Sequence, residues 1–235
     1  IIALPGGTDV PFERWELAAG VLSEAADAGE NDLSWFEHVD KPLVRPPLKV
    51  SPSSLTGATA RIVETVPIGR RIDSGSSDDR SRLGEAIHAC IAADLATPAK
   101  PLGVLEVEAI LKRMQAADDV GAQPLHQQLG ALRSWLATPW PDTSPLIEIP
   151  VSRGTAEGQQ VQGRTDLVLR TATGWILMDH KSSPQGRDQW PDLANAYAGQ
   201  LAAYRDVLQA ASGLPVEQIW LILPVAGAAL RVEVT

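Results

Sequence analysis

The fold of this chain is decided by residues 163–181, which read GRTDLVLRTATGWILMDHK. Two apolar runs flank the polar, glycine-ending residues 171–174, and this pattern predicts two β-strands joined by a hairpin. If the hairpin is centred between Ala172 and Thr173, residues whose numbers sum to 345 face each other. Asp166 and Asp179 meet that condition, so we expect their Cβ atoms to lie roughly 5 Å apart on one sheet face.

Lys181 is expected to project from the same face, because side chains alternate along a strand and Lys181 lies two residues beyond Asp179. Two carboxylates at this separation repel each other unless a proton or a cation lies between them, and Mg²⁺ binds both through oxygen. The ammonium group can neutralise charge that develops on a phosphate. The pattern therefore favours phosphodiester hydrolysis, the alternative being a surface hairpin whose acids are solvated or pair with Arg164 and Lys181.

Helical patterns on either side of the hairpin supply further polar residues. Residues 82–95 carry an apolar stripe with His88 inside it, and residues 189–211 place Gln200 and Tyr204 one turn apart on one face. Periodicity alone is also satisfied if His88 lies at the edge of its stripe and Gln200 and Tyr204 pack on the sheet. A loop at residues 182–187 leaves the Asp179 strand and places Arg187 where it could contact a phosphate.

Four short motifs occur in a fixed order, and together they resemble a known family. They are Gly84-x-x-x-His88, Gly163-Arg164-x-Asp166, Asp179-x-Lys181 and Gln200-x-x-x-Tyr204. In this order they resemble the RecB-type nuclease domain of the PD-(D/E)xK superfamily, over roughly residues 50–235. Such domains form the C-terminal part of bacterial helicase-nucleases of the RecB and AddA kind. The Glu148-Ile149-Pro150 segment also resembles a position of that family.

The resemblance implies roles for individual residues. The side chains of His88, Asp166 and Asp179 would bind the metal, together with the main-chain carbonyl of His180; Lys181 would be the catalytic lysine; Gln200 and Tyr204 would support the site or contact the DNA backbone. The His180 side chain is expected to point away from Lys181, so its imidazole is not expected to take part. Mg²⁺ prefers oxygen whereas imidazole suits Mn²⁺ better, so the site should accept either ion.

Further strands are expected near residues 146–152, 218–223 and 230–234, and further helices at residues 11–28, 102–117 and 124–136. This order predicts an α/β (α+β) fold: a mixed central sheet flanked by helices, like the restriction-endonuclease core of the superfamily. We divide the chain into an acidic arm and linker at residues 1–49 and a nuclease domain at residues 50–235, with a helical insertion at residues 100–145.

The charge is unevenly distributed, which affects the expected partners. The chain of 235 residues has a net charge of −9, but residues 1–40 hold nine acids against Arg14, a net of −8. The rest of the chain therefore carries only −1, which is compatible with an enzyme that receives DNA from a motor. The acidic arm is either a solvated surface or a segment that docks on a basic partner.

Several classes of protein are disfavoured by what the sequence lacks. Cys90 is the single cysteine, which excludes internal disulfides and the ligands of an iron–sulfur cluster. These residues contain no Gly-x-x-x-x-Gly-Lys-Ser/Thr loop, so we expect no ATP site within them. No apolar run approaches the roughly 20 residues of a membrane span and no leader is evident, so a soluble, cytoplasmic protein is expected. The first residue is Ile, which suggests a part of a longer polypeptide.

The functional hypothesis that follows is a Mg²⁺- or Mn²⁺-dependent, exodeoxyribonuclease V-like DNA nuclease domain of an ATP-dependent helicase-nuclease. The resemblance implies a role in double-strand-break processing and recombinational repair. It also implies three partners: DNA as a single strand or duplex end, helicase domains in the same parent chain, and a second subunit. The alternative is a catalytically weak module that keeps the nuclease fold and serves as a DNA guide or subunit platform.

Overall fold

The computed structural model describes residues 48–75, 80–155 and 158–235. The helix expected at residues 11–28, and with it nearly all of the expected acidic arm, lies outside the described residues. Within the part that is described, no helix is both long enough and apolar enough to cross a membrane.

The described residues contain seven strands and five α-helices. The strands are β1 (Lys49–Val50), β2 (Ala60–Pro67), β3 (Pro145–Gly154), β4 (Gln160–Arg170), β5 (Trp175–His180), β6 (Val216–Leu223) and β7 (Ala228–Val234). The helices are α1 (Arg80–Ala96), α2 (Val104–Arg113), α3 (Ala122–Ala137), α4 (Trp190–Ala196) and α5 (Ala198–Ser212). Short 3₁₀ turns occupy Pro52–Ser54 and Arg187–Gln189.

All seven strands join one mixed sheet, which confirms the predicted fold class. The strand order is β1-β4-β5-β6-β7-β2, with β3 paired to β4. The β1–β4 and β5–β6 pairs are parallel and the others are antiparallel. The hairpin register is the predicted one, because Leu167 faces Met178 and Leu169 faces Ile176.

One edge of β4 is shared between two partners, and this produces a gap in the sheet. β3 pairs along nearly the whole of the other edge. On the shared edge, β5 pairs with residues 167–170 and β1 pairs with residues 160–161. Among the described strands, none pairs with this edge at residues 162–166. The strands β4 and β5 therefore separate like the arms of a fork immediately after the Leu167–Met178 pair, which leaves Asp166 and Asp179 at its mouth.

Helices cover both faces of the sheet, so the strands are apolar on both sides. Alternate residues enter two separate cores: Leu167 and Leu169 pack with α1, α2 and α3, whereas Val168 and Leu177 pack with α4 and α5. In the first core, three tryptophans meet edge to face, with centroids 5.0–6.1 Å apart: Trp135, Trp140 and Trp220. The double coverage explains why β4 and β5 are continuous apolar runs in the sequence.

Two glycines allow the chain to approach the fork closely. A Cβ atom on Gly163 would lie 2.7 Å from Cγ of Pro52 and 3.1 Å from Cε1 of Tyr204. A Cβ atom on Gly199 in α5 would lie 2.0 Å from the carbonyl oxygen of Leu55. The glycine of the Gly-Arg-x-Asp motif thus makes room for Pro52 and Tyr204 beside the gap in the sheet.

The structure contains two strands that were not predicted, β1 and β2, and it divides one predicted helix in two. Strand β2 was not predicted, because its exposed face carries Arg61 and Glu64, which pair with charged residues of β7 and interrupt the apolar alternation. The single helix predicted at residues 189–211 is in fact two, because the backbone of Tyr197 (φ −104°, ψ 2°) leaves the helical conformation between α4 and α5.

Candidate active site

Asp179 is the centre of a polar network on the α5 side of the fork. Its Oδ1 accepts a hydrogen bond from Nε2 of Gln200 at 3.0 Å, and its Oδ2 lies 2.7 Å from Nζ of Lys181. Nε2 of Gln200 also contacts the hydroxyl of Tyr204 at 3.3 Å. Asp179 is fully buried, so α5 and Lys181 together hold its carboxylate in one orientation.

Lys181 is held from a second direction by Tyr197. Its Nζ lies 4.3 Å from the centroid of the Tyr197 ring, within the range of a cation–π interaction. The interruption between α4 and α5 falls at this residue and turns its ring toward the lysine. Lys181 therefore lies between a carboxylate and an aromatic face, with its side chain only 18% exposed.

The α1 side of the fork holds a second group made of His88, Asp166 and His180. The main-chain N–H of His180 donates to Oδ2 of Asp166 at 2.7 Å and so fixes the carboxylate across the gap. Nδ1 of His88 lies 3.8 Å from Oδ1 of Asp166, and Nδ1 of His180 lies 3.7 Å from Oδ2. The two imidazole rings are edge to face with centroids 5.7 Å apart.

The two aspartates therefore bond to different partners, and the pairing of β4 with β5 ends at Leu167 and Met178, one pair before them. Asp166 faces the two histidines, whereas Asp179 faces Lys181 and Gln200. The negative charge of Asp166 still reaches Asp179 and contributes to raising the pKa of its carboxyl group.

Burial sets the protonation states at the fork. It raises the pKa of Asp179 to about 6 against the opposing effect of Lys181, so the carboxylate is ionised at pH 8. Burial acts to lower the pKa of Lys181, but the nearby carboxylates outweigh it and raise the pKa above its ordinary value. Burial, aided by the charge of His88, lowers the pKa of His180 to about 3, so its imidazole is neutral. Burial raises the pKa of Tyr204, which keeps its hydroxyl protonated.

Glu148 also lies at the site, where only the family resemblance of its segment pointed to it. Its Oε1 is 3.6 Å from Nε2 of His88, and its Oε2 accepts a hydrogen bond from Nη1 of Arg164 at 3.0 Å. It lies in β3 opposite the fork, where its backbone adopts φ 53°, a left-handed conformation that costs a non-glycine residue about 1 kcal/mol or more. This local break in the strand turns the Glu148 side chain toward His88.

A cavity of about 760 Å³ opens in front of these groups. Its walls include His88, Glu148, His180, Lys181 and Tyr197, together with the loop at residues 182–185. Lys181 forms part of the wall and Asp179 lies buried behind it, so a substrate in the cavity meets the ammonium group first.

Of the candidate site residues, His88, His180 and Lys181 line this cavity. Arg187 does not line it. It is exposed in the 3₁₀ turn before α4, and its guanidinium lies 5.6 Å from the ring centroid of Trp190. The remaining candidates, His88, Asp166, Asp179, His180, Lys181, Gln200 and Tyr204, surround the fork.

The donor atoms on the α1 side suit a divalent metal ion. His88, Asp166 and His180 each offer one ligand atom, and these atoms all lie within 4.8 Å of one another. The His180 side chain is only 3% exposed, yet neither of its ring nitrogens has a hydrogen-bond partner among the described residues. Buried polar atoms are normally satisfied, so nitrogens left without a partner beside a carboxylate fit a site that a cation completes.

Comparison with known proteins gives one result that bears on this geometry. The family model for the PD-(D/E)XK nuclease superfamily matches residues 63–234, which include every group at the fork. No curated protein matches the chain.

Proposed function

Because the chain belongs to the PD-(D/E)XK nuclease superfamily, we propose that it is a divalent-metal-dependent deoxyribonuclease. The observation that supports this most directly is the arrangement at the fork, where a buried Asp179–Lys181 pair adjoins His88 and Asp166. Metal ligands beside a fixed ammonium group are what phosphodiester hydrolysis requires.

The chemistry is divided among the residues of the fork. A bound divalent ion would supply Lewis-acid activation of the attacking water and neutralise charge on the scissile phosphate. Asp166, oriented by the main-chain N–H of His180, would hold that ion together with His88. Lys181 would donate to the phosphate or to the attacking water, and its ammonium group would stabilise the negative charge of the transition state.

Asp179 has two possible uses in this scheme, and both follow from its position. In the described conformation it holds Lys181 in its charged form, since the two groups are 2.7 Å apart. If the Lys181 ammonium turns toward a phosphate in the cavity, Oδ2 of Asp179 is freed and can join the metal ligands, as the family resemblance implies. Gln200 and Tyr204 keep the Asp179 carboxylate oriented in either case.

The finer assignment within the superfamily rests on the order and spacing of the four motifs. We propose an exonuclease domain of the RecB or AddA kind at residues 50–235, with residues 100–145 as a helical insertion and residues 1–49 as an acidic arm. Its parent would be a cytoplasmic ATP-dependent helicase-nuclease that acts in double-strand-break processing and recombinational repair. DNA, the helicase domains of that parent and a second subunit would be its partners, and Mg²⁺ or Mn²⁺ its cofactor.

The test is cleavage of end-labelled single- and double-stranded DNA in Mg²⁺, in Mn²⁺ and in chelator. We expect laddered products that disappear in chelator and in Lys181→Ala. The matched control is Lys112→Ala, which removes an exposed lysine on α2 that pairs with Glu108. Cleavage by Lys181→Ala at the parent rate in Mg²⁺ would refute the catalytic assignment. Metal-independent DNA binding without cleavage in any ion would favour the guide or platform function instead.

A further inference from the structure

The His180 side chain has no role in the scheme above, yet it is the most deeply buried imidazole at the site. The family resemblance implies a metal ligand only at its main-chain carbonyl. In the structure its ring lies on the α1 side of the sheet, where α1 places His88 5.7 Å away, centroid to centroid. Asp166 approaches the same space from β4, with its carboxylate 3.7 Å from Nδ1 of His180.

We propose that the His180 imidazole is itself a metal ligand, and that with His88 and Asp166 it forms a site of two imidazoles and one carboxylate selective for first-row transition ions over Mg²⁺. This inference deepens the proposed nuclease function and rests on it for the use of the metal. The selectivity would be a property of this chain, since it depends on a histidine between Asp179 and Lys181.

The geometry supports the proposal because few other uses of the ring remain. A His180 side chain that only filled space would need partners for its two nitrogens, and the described residues supply none. The ligand atoms of the three residues lie within 4.8 Å of one another. Ligands on one ion with bonds of about 2.1 Å lie about 3 to 4 Å apart, so side-chain movements of less than about 1 Å would complete the site.

The donor set determines which ion binds. Mg²⁺ is held through one or two carboxylates and keeps several waters, whereas imidazole nitrogen suits Mn²⁺ and later transition ions. The group on the α1 side offers two nitrogens and one carboxylate, because Asp179 is engaged by Lys181 and Gln200. A transition ion gains a ligand from His180 that is of little use to Mg²⁺.

His180→Phe is the informative variant, because it keeps a planar ring and leaves the main-chain carbonyl and N–H in place. It therefore separates the effect of the imidazole from that of the carbonyl, which the family resemblance implies as a ligand. His126→Phe is the matched control, since His126 is a half-buried histidine on α3 that is not part of the metal-ligating group.

The first measurement is calorimetric titration of the metal-free 235-residue chain with MnCl₂ and, separately, MgCl₂. We expect His180→Phe to weaken Mn²⁺ binding by about tenfold or more and Mg²⁺ binding by less than about twofold, since removal even of an outer hydrogen-bond partner of a ligand costs 10- to 100-fold. His126→Phe should leave both affinities unchanged. Equal loss of both ions in His180→Phe, or no loss of Mn²⁺ affinity, would overturn the proposal.

The second measurement needs no variant, so a folding defect in His180→Phe cannot obscure the result. Pulsed electron paramagnetic resonance of the Mn²⁺-loaded parent protein should detect ¹⁴N couplings from two imidazoles, and coupling from one imidazole or none would refute the proposal. If the protein cleaves DNA in Mn²⁺ but shows coupling from a single imidazole, the proposal of a His180 ligand is refuted and the proposed nuclease function is retained. If couplings from two imidazoles are seen but DNA is not cleaved in any ion, the His180 ligand is supported and the proposed nuclease function is refuted.

Discussion

Replacing Lys181 with Met should destabilise the fold in a pH-dependent way, because it leaves the buried Asp179 carboxylate without its cation. Loss of one partner of a buried pair costs about 3–5 kcal/mol if the remaining group stays charged. Asp179 can instead take up a proton, which limits the cost. With its pKa at about 6 in the parent protein, protonation at pH 8 costs two pKa units, or about 3 kcal/mol, and at pH 6 almost nothing.

The direction of this dependence follows from the raised pKa of Asp179. Its pKa is higher in the folded than in the unfolded chain, so the group favours folding below its unfolded pKa, and that contribution is lost as the pH rises through about 6. In Lys181→Met the pKa is raised further, so the loss continues to higher pH. We therefore expect the free energy of unfolding of the variant to equal that of the parent at pH 6 and to be about 3 kcal/mol lower at pH 8.

The assay is thermal and denaturant unfolding in chelator, so that no metal enters the balance. At pH 8 the midpoint of Lys181→Met should fall by roughly 6–12 °C for a domain of this size. Adding Asp179→Asn should remove most of the difference between pH 6 and pH 8, because the amide does not titrate. An equal loss at both pH values, or a difference that persists in the double variant, would show that Asp179 and Lys181 do not form the buried pair.

Three further outcomes are expected. Tyr197→Phe should preserve the cleavage rate. Tyr197→Leu should lower kcat up to about tenfold with little change in KM, because the leucine lacks the aromatic face that positions Lys181. Equal cleavage rates in the two variants would contradict a positioning role of the Tyr197 ring. Burial raises the pKa of the Cys90 thiol to about 12. A thiol reagent should therefore label Cys90 at least about a thousandfold more slowly in the native than in the unfolded chain. Rapid labelling of the native chain would contradict the burial of Cys90. Gly199→Ala should unfold the domain or lower its stability by about 3 kcal/mol or more, since the new Cβ would meet a main-chain oxygen at 2.0 Å. Gly130→Ala in α3, by contrast, should stabilise the domain by up to about 1 kcal/mol. Circular-dichroism melting curves distinguish the two outcomes.

The hairpin could be predicted from sequence because its determinants are local. The polar turn at residues 171–174 fixes the register, and the apolar runs on either side fix the strands, so the observed pairing of Leu167 with Met178 follows. Strand alternation likewise separates the His180 ring from Lys181. Alternation cannot reveal which helix crosses the opposite face, so the proximity of His180 to His88 required the structure.

Other parts of the site depend on contacts that leave no local signal. Glu148 comes to the site through a single left-handed residue within β3, and the sequence pattern of a strand does not indicate such a break. Tyr197 belongs to an unbroken helical pattern, and only the packing of α4 and α5 against the sheet shows where the helix is interrupted. Strand β2 escaped prediction because part of its pairing consists of ion pairs with a strand far away in sequence.

The pairing of β2 with β7 affects the order in which the sheet can form. Arg61 of β2 pairs with Glu233 of β7 across 172 residues, and Arg231 with Glu64 across 167. During synthesis β2 leaves the ribosome long before β7 exists, and loop closure over such a separation is entropically slow. The sheet is thus completed only when β7 inserts between β6 and β2, and until then two open strand edges are exposed to other nascent chains.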